Sequence, residues 1–544
     1  MDEQPPGEPR PLQHRRRKEV STRYMRDRWE RFLSQDSRGM LMVEGVAVDR
    51  MVRKYGTPLY VYVESEIRER LRRFKAVFPP PIRLQYAVKC NSNLAILRIA
   101  REEGFELDCS SIGEIILGLL ADFQPRQLVL TNLVKSEQDV HFAAKMGIQS
   151  ITADSIEDLA LIARAARKLR TQVRTVIRVN PMMTVGDYST KENKYGIALN
   201  AVDRAIAIAT TAPYVDFRGF HFMGGYVGDP YVYRCVARAM LKIVKRCQDR
   251  GIRVRTLSLG GGFPAAIGET EAFPIEDMRD FAQWFECLRE RQGIPPLSLI
   301  FEPGKSIVLN AGVGLMKVVA TKKLGRRRRM LIVDGSTYNF VPDALVQETM
   351  RYDVLPASRM DAPRVHAVTV GGSTCDCWDL LTRDRELPKL EGGDLLAIMD
   401  IGGYAQVMAS NFNTIKRAAT VLVRPDGTVA LIRRRDRYSE MFAPELDVLK
   451  MADPNELERY TNLYRVNVDR IWKGAKRKKQ QRQFFIPMRV SMDSQRRNGN
   501  RDGVDEGGDA GAETNDPRLL PRTKPAPRSI DAVQEGAPMR IAGE

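Results

Sequence analysis

Residue types suited to covalent and phosphate chemistry recur at regular intervals between Leu84 and Gly304. Lys89 is a candidate Schiff-base former, because a partly desolvated amine has a lowered pKa and becomes nucleophilic. Gly260 to Gly262 form a run that exposes backbone N–H groups to a phosphate. A buried carboxylate at Glu302 can keep a pyridine nitrogen protonated, which makes the ring an electron sink.

Each of these residues follows a short apolar run, and the runs have the length of β-strands. The eight predicted strands are Leu84 to Lys89, Glu106 to Ser110, Leu128 to Asn132, Ser150 to Asp154, Thr175 to Asn180, Arg218 to Phe222, Thr256 to Gly262 and Leu297 to Gly304. Helical periodicity follows each of the first seven, so the pattern predicts an α/β chain with a (β/α)8 barrel. Active sites of such barrels lie at the carboxyl ends of the strands.

The strand ends should therefore ring one pocket. They are Lys89, Asp108, Asn132, Asp154, Asn180, His221, Gly260 to Gly262 and Glu302. Taken singly, Lys89 could be a surface lysine, the glycines a tight turn and Glu302 a salt-bridged glutamate. Together, a lysine, a phosphate nest and a carboxylate are the groups needed to hold pyridoxal 5′-phosphate.

Composition favours a cytoplasmic globular protein of several domains. The chain has 544 residues, of which 43% are hydrophobic, without an apolar run that could span a bilayer or serve as a secretory signal. Its seven cysteines are an odd number and predict reduced thiols. Cys375 and Cys377 form a CxC pair with no further His or Cys cluster nearby, so we predict no metal site.

The net charge of +18 is concentrated in clumps. They lie at Arg15 to Lys18, Arg326 to Arg329, Arg433 to Arg437 and Lys473 to Arg482. The first and last are near the termini, and Arg326 to Arg329 precedes a strand, as in a hairpin turn. We therefore predict solvated loops and tails with no nucleic-acid partner; a polyanion affinity unchanged by deleting residues 473–544 would count against a binding role for the tail.

Six segments are predicted along the chain. They are a basic N-terminal arm (1–39), strands joining a C-terminal β-domain (40–64), the barrel (65–310), the β-domain itself (311–445), a helical extension (446–472) and a disordered basic tail (473–544). In the β-domain, Arg424 to Thr428 reads as a hairpin turn, with Gly427 available for positive φ. The tail is rich in Gln, Arg, Asn, Gly, Asp and Pro and poor in aromatics.

Seven motifs, in order, resemble the fold-type III pyridoxal-phosphate decarboxylases that act on basic amino acids, the ornithine/diaminopimelate/arginine decarboxylase family. The motifs are YAVKCNSN around Lys89, LDCSSIGEI (Leu107 to Ile115), LSLGGGF (Leu257 to Phe263), FEPGKSIVLNAG (Phe301 to Gly312), GGSTCDCWDLL (Gly371 to Leu381), GDLLAIMDIGGYAQVMASNFN (Gly393 to Asn413) and LIRRRDRY (Leu431 to Tyr438). The resemblance covers about residues 45 to 442 and is greatest to diaminopimelate decarboxylases. It implies an alanine racemase-like barrel followed by a β-domain.

The resemblance also implies a role for each matching residue. Lys89 would bind the cofactor covalently, and Cys375 would return a proton after CO2 leaves. The cofactor would be held by Lys89, Asp108, Arg178, His221, Gly261, Gly262, Glu302, Pro303, Gly304, Lys305 and Tyr404. Lys305, Asp376 and Tyr404 would meet the amino-acid substrate. In this family the positions of Cys375 and Asp376 serve the neighbouring subunit, so a homodimer with shared active sites is implied.

Three positions depart from the family pattern. Met223 stands where the family has a histidine stacked on the cofactor ring, with His221 two residues earlier on the same strand face. Lys305 replaces an arginine and loses its bidentate fork. Val341 replaces an arginine that grips the distal carboxylate of diaminopimelate, and Arg351, ten residues on, is a candidate substitute.

The resulting hypothesis is an amino-acid decarboxylase, with conversion of meso-diaminopimelate to L-lysine as the nearest family reaction. Ornithine, lysine or a specialised amino acid are alternative substrates. A non-catalytic relative that binds a partner is the second hypothesis, with Met223, Lys305 and Val341 as signs of decay. A racemase on the same fold is the third, although CDCWD suits the decarboxylases better.

Overall fold

The computed structural model describes residues 24–325, 328–342 and 352–452, with backbone alone for 449–452. Within these ranges a (β/α)8 barrel is followed by a β-domain, as predicted. The sequence elements that place the candidate site are those of the barrel and the first strands of the β-domain.

Eight parallel strands close the barrel. They are Arg83–Ala87, Glu106–Cys109, Leu128–Leu130, Ser150–Ala153, Val173–Asn180, Val215–His221, Thr256–Ser258 and Ser298–Phe301. Each pairs with the next, and the eighth returns to the first through Ile300 opposite Arg83. The short strand Ile197–Ala198 pairs with the fifth, and Thr184–Val185 and Tyr188–Ser189 form a separate hairpin.

Helices alternate with these strands. The main ones are Glu64–Val77, Leu94–Glu102, Ile112–Leu120, Glu137–Met146, Ile156–Leu169, Val202–Thr211, Tyr231–Asp249, Phe281–Arg291 and Lys305–Val308. Short 3-10 turns are Val88–Cys90, Pro125–Gln127, Leu199–Ala201, Ile275–Met278 and Leu309–Ala311. One apolar core joins the strands to the inner faces of the helices.

Serine residues cap the helices that follow the second, third and fourth barrel strands. The side chains of Ser111, Ser136 and Ser155 accept hydrogen bonds from backbone N–H groups three residues on. Such caps satisfy donors that have no partner inside the helix. The caps therefore fix where these three helices begin.

The β-domain is a nine-stranded sheet. Its strands are Leu59–Val63, Gly312–Lys323, Arg328–Val333, Val354–Leu355, His366–Gly371, Leu380–Leu387, Leu395–Ile398, Ala419–Val423 and Val429–Arg433. Gly312–Lys323 and Arg328–Val333 form the hairpin expected at the Arg326 to Arg329 clump. Ala419–Val423 and Val429–Arg433 form the hairpin expected at Arg424 to Thr428, where Gly427 has φ +75°.

Residues 40–64 divide between two sheets. Leu59–Val63 lies inside the β-domain sheet, between Gly312–Lys323 and Ala419–Val423. Leu41–Val43 instead lies between Leu33–Gln35 and Val46–Ala47 in a separate three-stranded antiparallel sheet. The small sheet shares one apolar core with the β-domain, because its strands are too short to bury a face alone.

The remaining elements lie outside the two large sheets. The 3-10 turn Asp27–Trp29 belongs to the N-terminal arm, the helix Val48–Tyr55 precedes the first β-domain strand, and Phe412–Thr414 forms a turn. Helices Tyr438–Met441 and Ala443–Ala452 end the described region. The predicted tail (473–544), and the extension beyond residue 452, lie outside the described residues. Across the described ranges, no helix combines the length and apolarity that a membrane span requires.

Candidate active site

Lys89 follows the first barrel strand, in a 3-10 turn of residues Val88–Cys90. Its Nζ lies 2.5 Å from Asp108 Oδ2, at the end of the second strand. The other Asp108 oxygen accepts a hydrogen bond from the Thr131 hydroxyl, next to the third strand. Three successive strands thus place a lysine, a carboxylate and a hydroxyl at one edge of the barrel, hereafter the upper mouth.

The pKa of Lys89 differs from the sequence expectation. Burial alone lowers the pKa of this ammonium group, but the charges of Asp108 and Glu302 outweigh it and hold the pKa above its ordinary value. The pKa of Asp108 is lowered: burial raises it, and Lys89 and Thr131 reverse that effect. Desolvation thus acts in the expected direction, but the net shift of the Lys89 pKa is upward because of the charges of Asp108 and Glu302.

A buried network holds Glu302 at the end of the eighth strand. The hydroxyl of Ser258 donates to Glu302 Oε1 at 2.7 Å, and His221 Nε2 lies 3.0 Å from Glu302 Oε2. Arg178 Nε donates to His221 Nδ1 at 3.1 Å. Since arginine cannot accept a hydrogen bond, Nδ1 is the acceptor and His221 carries its proton on Nε2. His221 and Arg178 are thus positioning residues for Glu302.

Arg178 also connects the fourth strand to this network. Its Nη1 pairs with Asp154 Oδ1, and its Nη2 donates to the Thr131 carbonyl at 2.8 Å. Only 3% of the arginine side chain is exposed. Each of its three nitrogens donates to a protein group, so Arg178 holds the other residues of the site in place.

The glycine run allows three loops of the upper mouth to approach one another closely. Gly262 has φ +94°, and a Cβ there would collide with the Gly225 carbonyl. A Cβ on Gly261 would collide with the carbonyl of Glu302. These positions accept only glycine, and they bring the loop after the seventh strand against the loop after the sixth and the end of the eighth.

The EPGK segment and the GGY segment meet beside Lys89. Ala87 N donates to the Pro303 carbonyl at 3.1 Å, and a Cβ on Gly304 would lie 2.6 Å from Cys90 Sγ. Tyr404 N donates to the Cys90 carbonyl at 2.9 Å, and its hydroxyl is hydrogen-bonded to the Cys90 thiol. Burial raises the pKa of Cys90 to about 11, so this thiol is protonated at neutral pH.

Cys375 and Asp376 lie elsewhere, on an exposed loop of the β-domain. Buried Asp379 fixes this loop by accepting hydrogen bonds from the backbone and side chains of Thr337 and Thr374. The Tyr338 hydroxyl donates to Asp376 and lowers the pKa of that carboxyl. Among the described residues, no hydrogen bond or ion pair links Cys375 or Asp376 to Lys89, Asp108 or Thr131.

The three residues that depart from the family pattern lie in different environments. Met223 is half-buried, directly before the Gly224–Gly225 pair, and Lys305 is the first residue of a short helix. Val341 is fully buried in the core of the β-domain. Its side chain therefore cannot reach a substrate. Arg351, the candidate substitute, lies outside the described residues.

Sequence reasoning missed some supporting residues and overvalued others. Thr131 and Ser258 bind the two key carboxylates, and strand alternation would have placed Ser258 on the inner face two residues before Gly260. Asn132 and Asn180, in contrast, hold loop carbonyls of Val134 and Thr190 and do not contact the Lys89 or Glu302 groups.

Comparisons with known proteins agree with this geometry. The profile of the family described as "Pyridoxal-dependent decarboxylase, pyridoxal binding domain" matches residues 64–309. The diaminopimelate decarboxylase of Pseudomonas aeruginosa is 33% identical over 413 residues, covering 74% of this chain and 96% of the relative. That of Archaeoglobus fulgidus is 32% identical, with coverages of 74% and 96%. The crystal structure of the M. jannaschii diaminopimelate decarboxylase with L-lysine has a TM-score of 0.70, 26% identity and coverages of 78% and 99%.

The residues at the upper mouth fit pyridoxal 5′-phosphate. Gly261 and Gly262, hereafter the glycine cradle, have backbone N–H groups that donate to no described residue. Glu302 is held by two donors, and half-buried Lys89 supplies an amine. The site therefore offers a phosphate nest, a carboxylate for a pyridine nitrogen and an amine for covalent attachment. From its fold, this site and its relatives together, the chain belongs to the pyridoxal 5′-phosphate-dependent decarboxylases and is a carboxy-lyase of the diaminopimelate decarboxylase-like group.

Proposed function

We propose that this protein removes the carboxylate from one end of meso-diaminopimelate to yield L-lysine. The observation that carries the proposal is that Lys89, the glycine cradle and Glu302 share one mouth in a chain 33% identical to a diaminopimelate decarboxylase. The L-lysine complex of the M. jannaschii relative adds support, since lysine is the expected product.

Each residue has a distinct task in this proposal. Lys89 would attach the cofactor, the amides of Gly261 and Gly262 would hold its phosphate, and Glu302 would keep a proton on its ring nitrogen. When bound, pyridoxal phosphate supplies the electron sink for the pair left behind as CO2 departs. Ser258 and His221 keep Glu302 in place, so that its charge is directed at the ring without reorganisation.

The proton that replaces CO2 comes, in our proposal, from Cys375 of a second copy. Its exposed loop carries Trp378, which is 64% exposed. Cys375 N donates to Asn413, in a segment that also exposes Phe412 and Met408. Exposed aromatic and methionine side chains of this kind are enriched at protein interfaces. We therefore propose a homodimer in which Cys375 and Asp376 complete the partner's site.

Complementation tests the shared site. Lys89→Ala and Cys375→Ala should each abolish activity alone, whereas a mixed sample refolded or co-expressed from both should regain activity. Regain would come from heterodimers that hold one site with an intact Lys89 and an intact Cys375. If the mixture stays inactive while size-exclusion shows mixed dimers, the shared-site arrangement is wrong.

The substrate is the least constrained part of the proposal. Val341 cannot bind the distal carboxylate of diaminopimelate, so Lys305 and Asp376 are the proposed contacts of the substrate, with Tyr404 at the cofactor side. If Asp376 dominates, a distal amine as in ornithine or lysine fits better than a distal carboxylate. The test is CO2 release from meso-diaminopimelate, L-ornithine and L-lysine under equal conditions. Release from diaminopimelate with formation of L-lysine supports the proposal; release only from ornithine or lysine replaces it.

We further propose a cytoplasmic location and the segment boundaries given above. The seven cysteines are all free, as expected in a reducing compartment. Deleting residues 473–544, which lie outside the matched family region, should leave decarboxylation unchanged when kcat/KM is measured.

A further inference from the structure

The barrel has a second opening, opposite the upper mouth, where its strands begin. A cavity of about 260 Å³ lies there, hereafter the lower mouth. Barrels of this type are normally filled by layers of large branched side chains. Here short hydroxyl side chains, namely Ser150, Thr152 and Thr256, line the interior and leave it open.

Four arginines line the lower mouth: Arg83, Arg126, Arg174 and Arg218. The only carboxylate among the lining residues is Glu302, which is held by its own network. Positive charge therefore dominates the wall, and charge concentrated in a cleft attracts counter-ions.

Carboxylates neighbouring the cavity pair with two of these arginines. Glu106 accepts hydrogen bonds from Arg83, at 3.0 Å from its Nε, and Asp216 pairs with Arg218. The Nε of Arg218 is nevertheless buried with no hydrogen-bond partner. An orphaned buried donor of this kind costs free energy unless something accepts from it.

The other two arginines have no carboxylate partner among the described residues. Arg174 Nη1 donates to the Ile148 carbonyl at 3.0 Å. Arg126, at the rim on the 3-10 turn Pro125–Gln127, makes no hydrogen bond or ion pair with any described residue. Arg126 and the remaining nitrogens of Arg174 are thus available to bind an anion.

We propose that the lower mouth is a binding site for a small oxyanion, of the size of phosphate or a short dicarboxylate. Guanidinium forks match the oxygen geometry of both groups. A cavity of about 260 Å³ falls below the roughly 300 Å³ at which pockets for drug-sized ligands begin. The volume therefore suits a small anion.

The site has a direct route to the upper mouth. His221, Ser258 and Glu302 line the floor of the same cavity, so an anion there lies beneath the network that holds Glu302. Occupancy should therefore modulate catalysis; this consequence rests on the proposed function, whereas anion binding itself does not.

Titration calorimetry of the cofactor-loaded protein with inorganic phosphate, and separately with malonate, tests the site at constant ionic strength. The loaded form is used because the cofactor's phosphate then occupies the glycine cradle. Arg126→Gln is the main variant, since its side chain is exposed and has no partner to lose. Arg174→Gln is the second, and Arg204→Gln, an exposed arginine on helix Val202–Thr211, is the matched control.

We expect binding of at least one anion, weakened about five- to tenfold by Arg126→Gln and by Arg174→Gln and unchanged by Arg204→Gln. Tighter binding of phosphate or of malonate shows whether the natural ligand is a phosphate or a dicarboxylate. No binding to the wild-type protein, or binding that all three variants retain, would overturn the proposal. If the anion binds but does not change the rate of decarboxylation, only the proposed coupling to catalysis is wrong.

Discussion

At the scale of single residues, the candidate site depends on how Glu302 is held. A carboxylate buried to this extent needs partners, and Ser258 and His221 supply one for each oxygen. His221 can donate to Glu302 only because Arg178 occupies its other nitrogen as a donor. One arginine therefore sets the tautomer of the histidine, which in turn directs the carboxylate.

Replacing Ser258 tests this chain of contacts. Ser258→Ala should lower kcat by about ten- to hundredfold, because a hydrogen bond to a charged group is lost, while KM changes little. The matched control is Ser298→Ala on the next strand, whose buried hydroxyl has no hydrogen-bond partner. Steady-state kinetics with thermal unfolding distinguishes the two: equal kinetic effects, or a loss explained by a lower Tm, would refute a positioning role for Ser258.

The sequence predicted which residues gather at the upper mouth better than it predicted their state. Lys89, Asp108 and Glu302 converge as expected, because the carboxyl ends of parallel strands share one edge. The sign of the Lys89 pKa shift did not follow, since it depends on the distances to two carboxylates that no local pattern specifies. His221 stays a predicted cofactor contact; both of its ring nitrogens have protein partners, Arg178 and Glu302, which the sequence pattern did not predict.

At the scale of elements, the hairpin that ends at Arg433 is tied to the SNFN segment by one carboxylate. Asp436 accepts from Arg417 Nε at 2.8 Å, from Arg417 N at 3.0 Å and from Asn411 Nδ2 at 3.0 Å. Burial raises the pKa of Asp436, but the Arg417 and Asn411 hydrogen bonds leave it below its ordinary value. The two motifs that resemble diaminopimelate decarboxylases are thus one structural unit.

Asp436→Asn should therefore reduce the free energy of unfolding by about 1–3 kcal/mol at neutral pH. Because the folded-state pKa is lowered, the stabilisation is present above the ordinary carboxyl pKa and disappears as pH falls through the folded value. Urea unfolding at pH 7 and at about pH 3 should show the difference from wild type shrinking. Asp187→Asn, an exposed aspartate with no hydrogen-bond partner among the described residues, is the control; a difference that grows in acid would contradict the assignment.

Element order was predictable from periodicity, whereas the small sheet was not. Eight apolar runs separated by helical stretches admit few folds besides a barrel. Leu41–Val43 and Val46–Ala47 are too short for their pattern to predict a partner. The Glu44–Gly45 turn joins these two strands, and a turn in which Asp36 N donates to the Met40 carbonyl brings Leu33–Gln35 beside Leu41–Val43. Packing on the β-domain completes the arrangement.

At the scale of the whole molecule, Asp400 joins three parts of the chain. This fully buried carboxylate accepts from Arg28 Nη2 at 2.7 Å and Trp29 Nε1 at 2.9 Å in the N-terminal arm. It also accepts from Asn310 Nδ2 at 2.7 Å, at the end of the barrel. Burial raises the pKa of Asp400 despite these donors, so keeping this carboxylate charged costs free energy.

Arg28→Ala should destabilise the folded protein by about 3 kcal/mol or more, because a buried carboxylate loses its counter-ion. Adding Asp400→Asn should recover part of that loss, since the neutral amide no longer needs the arginine. Arg38→Ala, which removes an exposed pair with Asp36, should cause no measurable change. Urea unfolding of the wild type and these three variants gives the free energies to compare. A double variant no more stable than Arg28→Ala would contradict the role given to the ion pair.

The central claim is that Lys89 holds pyridoxal phosphate for an amino-acid decarboxylation, and visible absorbance of the purified protein tests it most directly. The wild-type protein, supplied with the cofactor, should show a band of lysine-bound pyridoxal phosphate that shifts on adding one amino acid as CO2 is released. Lys89→Ala should lack the band of the resting protein. A wild-type protein without the band, and with no CO2 from any amino acid, would contradict the account and favour the non-catalytic hypothesis.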